Sequence, residues 1–224
     1  MRLRNVPGAA EAVASSIFST ENPDAFKGKW LDSVTDGRPI AIEIGCGKGA
    51  FLHEMARLHP ETFFIGCDRY ASVLIKAIRK VEDDPLPNIS FICADAEDLP
   101  DFFERGEIHK IYLNFSDPWP KARHAKRRLT SRRHLDIYRE LLLPGSAIEF
   151  KTDNRDLFEF SLEELSQDPH YDLFAKTYDL HHDPTMNAGN VQTEYETKFS
   201  SQGHPICKLI ARLNDTVDEE EAPA

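Results

Sequence analysis

The sequence predicts an α/β protein built on a mostly parallel, doubly wound sheet. Two observations predict it. From Pro39 onward, short apolar strands alternate with helical stretches, the pattern of strand–helix–strand units. Each of the first five strands then ends in a glycine cluster or an acid: Gly45/Gly47/Gly49, Asp68, Asp95, Asp117 and Asp153. Ligands of such sheets bind outside the carboxyl ends of the strands. The five endings should therefore meet on one rim.

Residues 1–29 read as a basic N-terminal arm, with Arg2 and Arg4 at its tip and a short helix over Ala9 to Phe18. Residues 30–214 read as one domain, and 215–224 as an acidic, disordered tail. Within the domain, Ile40 to Ile44 is the first strand. Phe51, Leu52, Met55 and Leu58 follow at helical spacing. Thr62 to Cys67 is the second strand. Val73, Leu74, Ala77, Ile78 and Val81 mark a second helix, broken by Asp84-Pro85-Leu86-Pro87-Asn88. Ile89 to Cys93 is the third strand. A short helix over Ala96–Phe103 leads through Gly106 to the fourth, Lys110 to Asn114. A helix around Leu135, Tyr138, Leu141 and Leu142 ends at Pro144-Gly145, and Ala147 to Thr152 is the fifth strand. Phe158, Leu162 and Leu165 mark the next helix. Two late strands, around Asp172–Tyr178 and Ile206–Arg212, flank a loop from His181 to Gly203 that is long enough to suggest function.

The totals narrow the function classes. The chain has 224 residues, 41% of them hydrophobic, enough for one sizeable core. It holds no apolar run of the length a membrane span needs and no signal-peptide core. The four cysteines form no Cys-x-x-Cys pair and match no zinc spacing. They read as reduced, buried small hydrophobes in a cytoplasmic protein without a metal. The net charge of −11 argues against a protein that coats nucleic acid, but its distribution is uneven. Residues 121–133 hold seven Lys/Arg and no acid.

On the first strand ending, Glu43-Ile44-Gly45-Cys46-Gly47-Lys48-Gly49 puts glycines where a strand turns into a helix. Gly45-x-Gly47-x-x-Ala50 also satisfies a relaxed dinucleotide fingerprint, so a nicotinamide oxidoreductase stands as an alternative. Three features tilt the reading to S-adenosylmethionine. The third glycine comes one residue early. Glu43 could approach a methionine ammonium but would repel a pyrophosphate. Asp95 could accept from an adenine amino group, with Asp68 placed to hold a ribose.

On the other side of the rim, Asp117-Pro118-Trp119-Pro120 forms a turn whose prolines fix where Asp117 and Trp119 point. Guanine N7 has an in-plane lone pair and needs no base before it attacks a methyl sulfonium. Alignment is then the main task, and Asp117, Asp153 and Glu196 are the candidate carboxylates. Trp119 could stack on a base. Lys121, Arg123, Lys126, Arg127, Arg128, Arg132 and Arg133 would grip phosphates. A non-catalytic RNA-binding module remains a further alternative.

Asn114-Phe115-Ser116-Asp117-Pro118-Trp119-Pro120-Lys121, Arg123-His124-x-Lys126-Arg127-Arg128, Lys151-Thr152-Asp153-Asn154 and Thr193-x-Tyr195-Glu196-x-Lys198-Phe199 together resemble the bacterial tRNA (guanine-N7-)-methyltransferases. The likeness runs from Met1 to about Arg212. It implies a class I S-adenosylmethionine-dependent (Rossmann-like) fold with an antiparallel last strand, and methylation of a guanine in the variable loop of tRNA. It also implies cofactor contacts at Glu43, Gly45, Gly47, Asp68, Asp95, Ala96 and Asp117, with Asp117 catalytic. Substrate contacts fall at Lys121, Asp153, Thr193, Glu194, Tyr195 and Glu196, and RNA contacts at Arg123, His124, Lys126, Arg127 and Arg128. Asp68 stands where the family often has Glu. Monomer and homodimer are both open.

Overall fold

A computed structural model describes residues 6–214. The basic tip at Arg2 and Arg4 and the acidic tail from Asp215 lie outside the described residues. The core is a seven-stranded sheet in the order β3-β2-β1-β4-β5-β7-β6. Its strands are β1 (Ile40–Ile44), β2 (Phe63–Cys67), β3 (Ile89–Ile92), β4 (Ile108–Asn114), β5 (Leu142–Thr152), β6 (Tyr171–Thr177) and β7 (Cys207–Leu213). β1 to β5 pair in parallel, and β7 runs antiparallel between β5 and β6. Strand order reverses between β1 and β4, which makes their carboxyl ends the switch point where a ligand crevice forms.

Alternate residues of the strands feed two apolar layers. One face packs Ile42, Ile65, Ile111 and Phe150 against α5 (Leu99–Phe102), α6 (Arg132–Leu141), α7 (Arg155–Ser166) and the fully buried Trp30 of α2 (Trp30–Ser33). The other packs Ala41, Phe64 and Phe91 against α1 (Ala9–Ala14), α3 (Ala50–Leu58) and α4 (Ala71–Asp83). Burying a Leu, Ile or Phe side chain contributes about 2 kcal/mol. Beyond α3 this second face changes character. Lys110, Glu149 and Lys208 form a ladder across β4, β5 and β7, with Lys–Glu distances of 2.5 and 3.1 Å. A cavity of about 380 Å³ lies over it, walled on one side by Ala188 to Val191.

Several expectations change. The helix read over Ala9 to Phe18 ends at Ala14, and the segment after it docks on the edge of the sheet. Val13 is buried against the α4 layer, the Phe91 N–H donates to the Phe18 carbonyl at 2.8 Å, and the Thr20 N–H donates to the Phe91 carbonyl at 2.9 Å. The helix read over 96–103 splits into a 3₁₀ turn, Ala96–Asp98, and α5, because Pro100 lacks the N–H that a continuous α-helix would use there. Pro144-Gly145 does not separate helix from strand. β5 already starts at Leu142, and the pairing shifts register between Ile108 and Lys110, so the dipeptide rides on an irregular stretch. The late loop contains a helix, α8 (Glu194–Ser200). Cys46, Cys67 and Cys207 are buried thiols, but Cys93 is exposed, one residue past β3. Among the described residues no helix is long and apolar enough to cross a membrane.

Candidate active site

The rim is built from the ends of β1, β2, β3, β4 and β5. At the end of β1 the chain turns through Gly45 (φ 78°) and Gly47 (φ 58°), a backbone region where a side chain is strained. No atom lies within 4 Å of where a Cβ on either would sit. The turn therefore faces open space, as a backbone approached by a ligand must. Gly49 serves packing instead, since a Cβ there would lie 2.7 Å from Ala77 Cβ.

Glu43 is buried beneath this turn. Its Oε1 accepts from Asn114 Nδ2 at 2.8 Å, and its Oε2 has no partner among the described residues. Burial drives its carboxyl up from 4.5 to about 8, against the pull of Asn114 and Lys151. A buried acceptor left single is costly, and a cationic group on the glycine side would satisfy it. Asp68, at the end of β2, accepts from the Gly47 N–H at 3.2 Å and from the Tyr70 N–H at 2.9 Å. Each carboxylate oxygen keeps a further lone pair for a hydroxyl donor. Burial raises its carboxyl; the Tyr70 and Gly47 donors oppose the rise, and the negative Asp117 adds to it. Asp68 and Asp117 thus sit in one field. Asp95, past β3, lies 3.6 Å from the Arg69 guanidinium, and Ala96 beside it is buried. This set of acceptors fits an aminoacyl nucleoside: one for an ammonium, one for a ribose, one for a base.

Asp117 is exposed, and its side chain makes no hydrogen bond or ion pair among the described residues. Its backbone is far from free. Phe115 (φ 52°) and Trp119 (φ 40°), two residues to either side, both occupy the left-handed region, an uncommon state for aromatic residues that the surroundings must enforce. The Phe115 N–H donates to the Lys151 carbonyl at 2.8 Å, and its ring packs 4.9 Å from that of Tyr195. Arg128 donates to the carbonyls of Pro118 (3.0 Å) and Trp119 (3.2 Å) while lying over the Phe160 ring. The Trp119 ring has Arg127 over it at 5.0 Å and His124 edge-on at 5.7 Å.

The basic segment divides in two. Lys121, Arg123, Lys126 and Arg127 form no ion pair among the described residues and are exposed, with His124 half-buried between them on the 3₁₀ turn Ala122–Arg127. Arg128 is committed to the turn. Arg132 pairs with Asp136 and Asp168, and Arg133 with Glu97. All three, read as phosphate grips, have partners within the chain: backbone carbonyls for Arg128, and for Arg132 and Arg133 half-exposed ion pairs with Asp168 and Glu97, acids distant in sequence.

The late segment reaches the rim through α8. Thr193 caps it, accepting from the Glu196 N–H at 2.9 Å. Tyr195 is exposed, stacks on Phe199 at 4.0 Å, and donates to Asp153 Oδ2 at 3.2 Å. Glu194 pairs with Lys48 of the glycine turn at 2.9 Å and with Lys80 at 3.3 Å. Glu196 differs from its sequence expectation. It is fully buried, and its oxygens are taken by Lys151, His181 and Asn190, so it presents no free edge to a base. Sequence reasoning missed Asn114, Arg128 and Lys151 as structural supports. A lysine inside an apolar strand was the available signal for the last.

A family model described as "Putative methyltransferase" matches residues 37–209. The chain is 47% identical over 211 residues to the tRNA (guanine-N(7)-)-methyltransferase of Lachnoclostridium phytofermentans, covering 94% of this chain and 98% of that protein. It is 49% identical over 212 residues to the protein of the same name from Geobacillus thermodenitrificans, covering 94% and 97%. Among solved structures it is similar to the 16S rRNA methyltransferase KamB, with a TM-score of 0.59 at 19% identity over 84% of this chain and 92% of that one. It is also similar to a 16S rRNA (adenine(1408)-N(1))-methyltransferase from Catenulisporales acidiphilia, with a TM-score of 0.57 at 15% identity over 96% of each chain. At these identities the two structures speak for a shared fold.

Proposed function

The chain belongs to the tRNA (guanine-N7-)-methyltransferase family, and from that premise we propose how its rim works. The chain methylates N7 of a guanine in tRNA, and the nicotinamide and non-catalytic alternatives find no support among its relatives. S-adenosylmethionine supplies an electrophilic methyl group carried on a sulfonium. Glu43 receives its ammonium, Asp68 its ribose, and Asp95 with Ala96 its adenine, while Gly45 and Gly47 let it approach the backbone. The observation that carries this reading is the partnerless Oε2 of Glu43, buried under a glycine turn that faces open space.

Asp117 holds the guanine. A carboxylate that accepts from N1–H and N2–H₂ together leaves N7 free on the opposite edge. No proton has to leave N7 before attack, so Asp117 aligns the base and stabilises the cationic product ring rather than removing a proton. Asp153 and Tyr195 stand beside it, and Lys121 with Arg123, Lys126 and Arg127 takes the flanking phosphates. The target guanine lies in the variable loop, as the resemblance implies. The four unpaired thiols and the tRNA substrate support the cytoplasm as the place of reaction.

The test incubates labelled S-adenosylmethionine with unmodified tRNA transcript and maps N7-methylguanosine by chain scission. Asp117→Ala should cut kcat by about a hundredfold or more while melting within a degree or two of the parent, since the side chain is exposed and unpaired. Methyl transfer by that variant at the parental rate would sink the assignment.

A further inference from the structure

We infer that Lys151, through its buried ion pair with Glu196, is the positioning residue that sets the substrate-facing segment Thr193–Tyr195 on the rim. The inference rests on the reading of that segment as a tRNA contact.

Lys151 is nearly fully buried near the end of β5, two residues before Asp153. Its ammonium donates to three groups of the late segment: Glu196 Oε2 at 2.6 Å, the Val191 carbonyl at 2.9 Å and Asn190 Oδ1 at 3.2 Å. The other oxygen of Glu196 accepts from Asn190 Nδ2 at 2.8 Å and lies 3.0 Å from His181 Nε2. The lysine therefore gathers residues 190, 191 and 196 in the middle of a stretch that leaves the sheet after β6 and returns at β7, and Glu196 extends the network to His181 on the outgoing arm. Asn114, its neighbour in the β4–β5 register, holds Glu43. The cofactor-side and substrate-side acids are thus anchored from adjacent strands.

Apolar packing alone does not hold the segment. Its own cluster is small, Leu180, Met186 and Ile206. Ala188 to Val191 border the 380 Å³ cavity, and of these only Val191 also packs against the core layer of α3 and α4. The other holds on the segment, Glu194 to Lys48 and Lys80 and Tyr195 to Phe115 and Asp153, are exposed or half-exposed, which leaves the Lys151 anchor as its buried polar tie. An ion pair this deep adds little net stability but is expensive to break on one side, which suits a part that must sit in one place. Burial lowers the Lys151 ammonium, and Glu196 opposes that fall. Burial likewise raises the Glu196 carboxyl, but Lys151, Asn190 and His181 overcome it and leave the group below its ordinary value.

The experiment uses the full chain. It measures S-adenosylhomocysteine binding by calorimetry, tRNA binding by filter retention, steady-state kinetics, and hydrogen exchange across 180–203. Lys151→Met should bind S-adenosylhomocysteine within about threefold of the parent at about pH 9, where Glu43 is ionised without the help of Lys151. It should weaken tRNA binding and raise the tRNA KM by about tenfold or more, with kcat at saturating tRNA much less affected, the magnitude expected of one stranded buried charge. Exchange should quicken in 190–200 and stay parental in β1 to β4. Glu196→Gln should do the same, and the double variant should be no worse than the poorer single, because the two act as one unit. Should Lys151→Met fail to fold, Asn190→Ala removes one leg of the anchor without stranding a charge and carries the test with the same expected pattern. Parental tRNA binding and exchange in these variants, or effects that multiply in the double, would overturn the inference. A parent protein that binds neither tRNA nor S-adenosylhomocysteine would instead overturn the functional reading.

Discussion

With the cofactor's ammonium placed at Glu43 as proposed, cofactor binding should depend on pH in a direction set by the burial of that carboxyl. Its carboxyl lies at about 8 in the folded protein against an ordinary 4.5. Between those values the folded state holds one more proton than the unfolded state. Stability contributed by the neutral form is complete at low pH and is lost as pH rises through this interval, by about 5 kcal/mol at most. An ammonium delivered to Oε2 reverses the preference, because it requires the ionised form. Binding must then expel the proton. From about pH 6 to pH 7.5, affinity for S-adenosylhomocysteine, which carries the same ammonium, should rise by up to tenfold per unit. Calorimetry in two buffers of different ionisation enthalpy should count about one proton released at the lower end. The thermal upshift given by the ligand should be larger near pH 8 than near pH 6. Glu43→Gln should flatten the slope and cost about tenfold to a hundredfold in affinity at the upper end, the loss of one charge-assisted contact. Affinity that is level across this range, with no proton released, would refute the placement of the ammonium at Glu43.

The turn and the basic ramp offer three further tests. Arg128→Ala removes both donors to the Pro118 and Trp119 carbonyls and should lower kcat by about tenfold with smaller change in tRNA KM, measured by steady-state kinetics. Lys126→Ala and Arg127→Ala should each reduce the slope of log K against log salt for tRNA by about one, whereas Arg132→Ala, already paired with acids, should leave it unchanged; filter binding across a salt series decides. Gly49→Ala would press a methyl against Ala77 at a positive φ and should destabilise by about 2 kcal/mol or more in urea denaturation.

Much of this was legible because it depends on local pattern. Ile40–Ile44 ending at glycine, and Ile111-Tyr112-Leu113 ending at Asp117, are apolar runs whose termini must point one way in a parallel sheet. What escaped was decided by partners far along the chain. Arg132 and Arg133 read as free cations until Asp168 and Glu97 fold against them. Glu196 read as an open carboxylate until Lys151 covers it. Helix α8 carried a visible sign, Thr193-x-x-Glu196, the spacing of a capping box; among polar neighbours it passed for loop. Cys93 shows the limit of a one-residue boundary: the strand stops at Ile92, and the next side chain meets solvent.

The docking of residues 18–20 along β3 bears on how the molecule behaves in a crowded solution. β3 ends the sheet, and a terminal strand offers a row of unpaired amides that invites another chain to add on. Phe18 and Thr20 take the Phe91 amide and carbonyl for themselves. A chain trimmed past Thr20 would expose that row together with the apolar face that Ala9 and Val13 cover, and should aggregate.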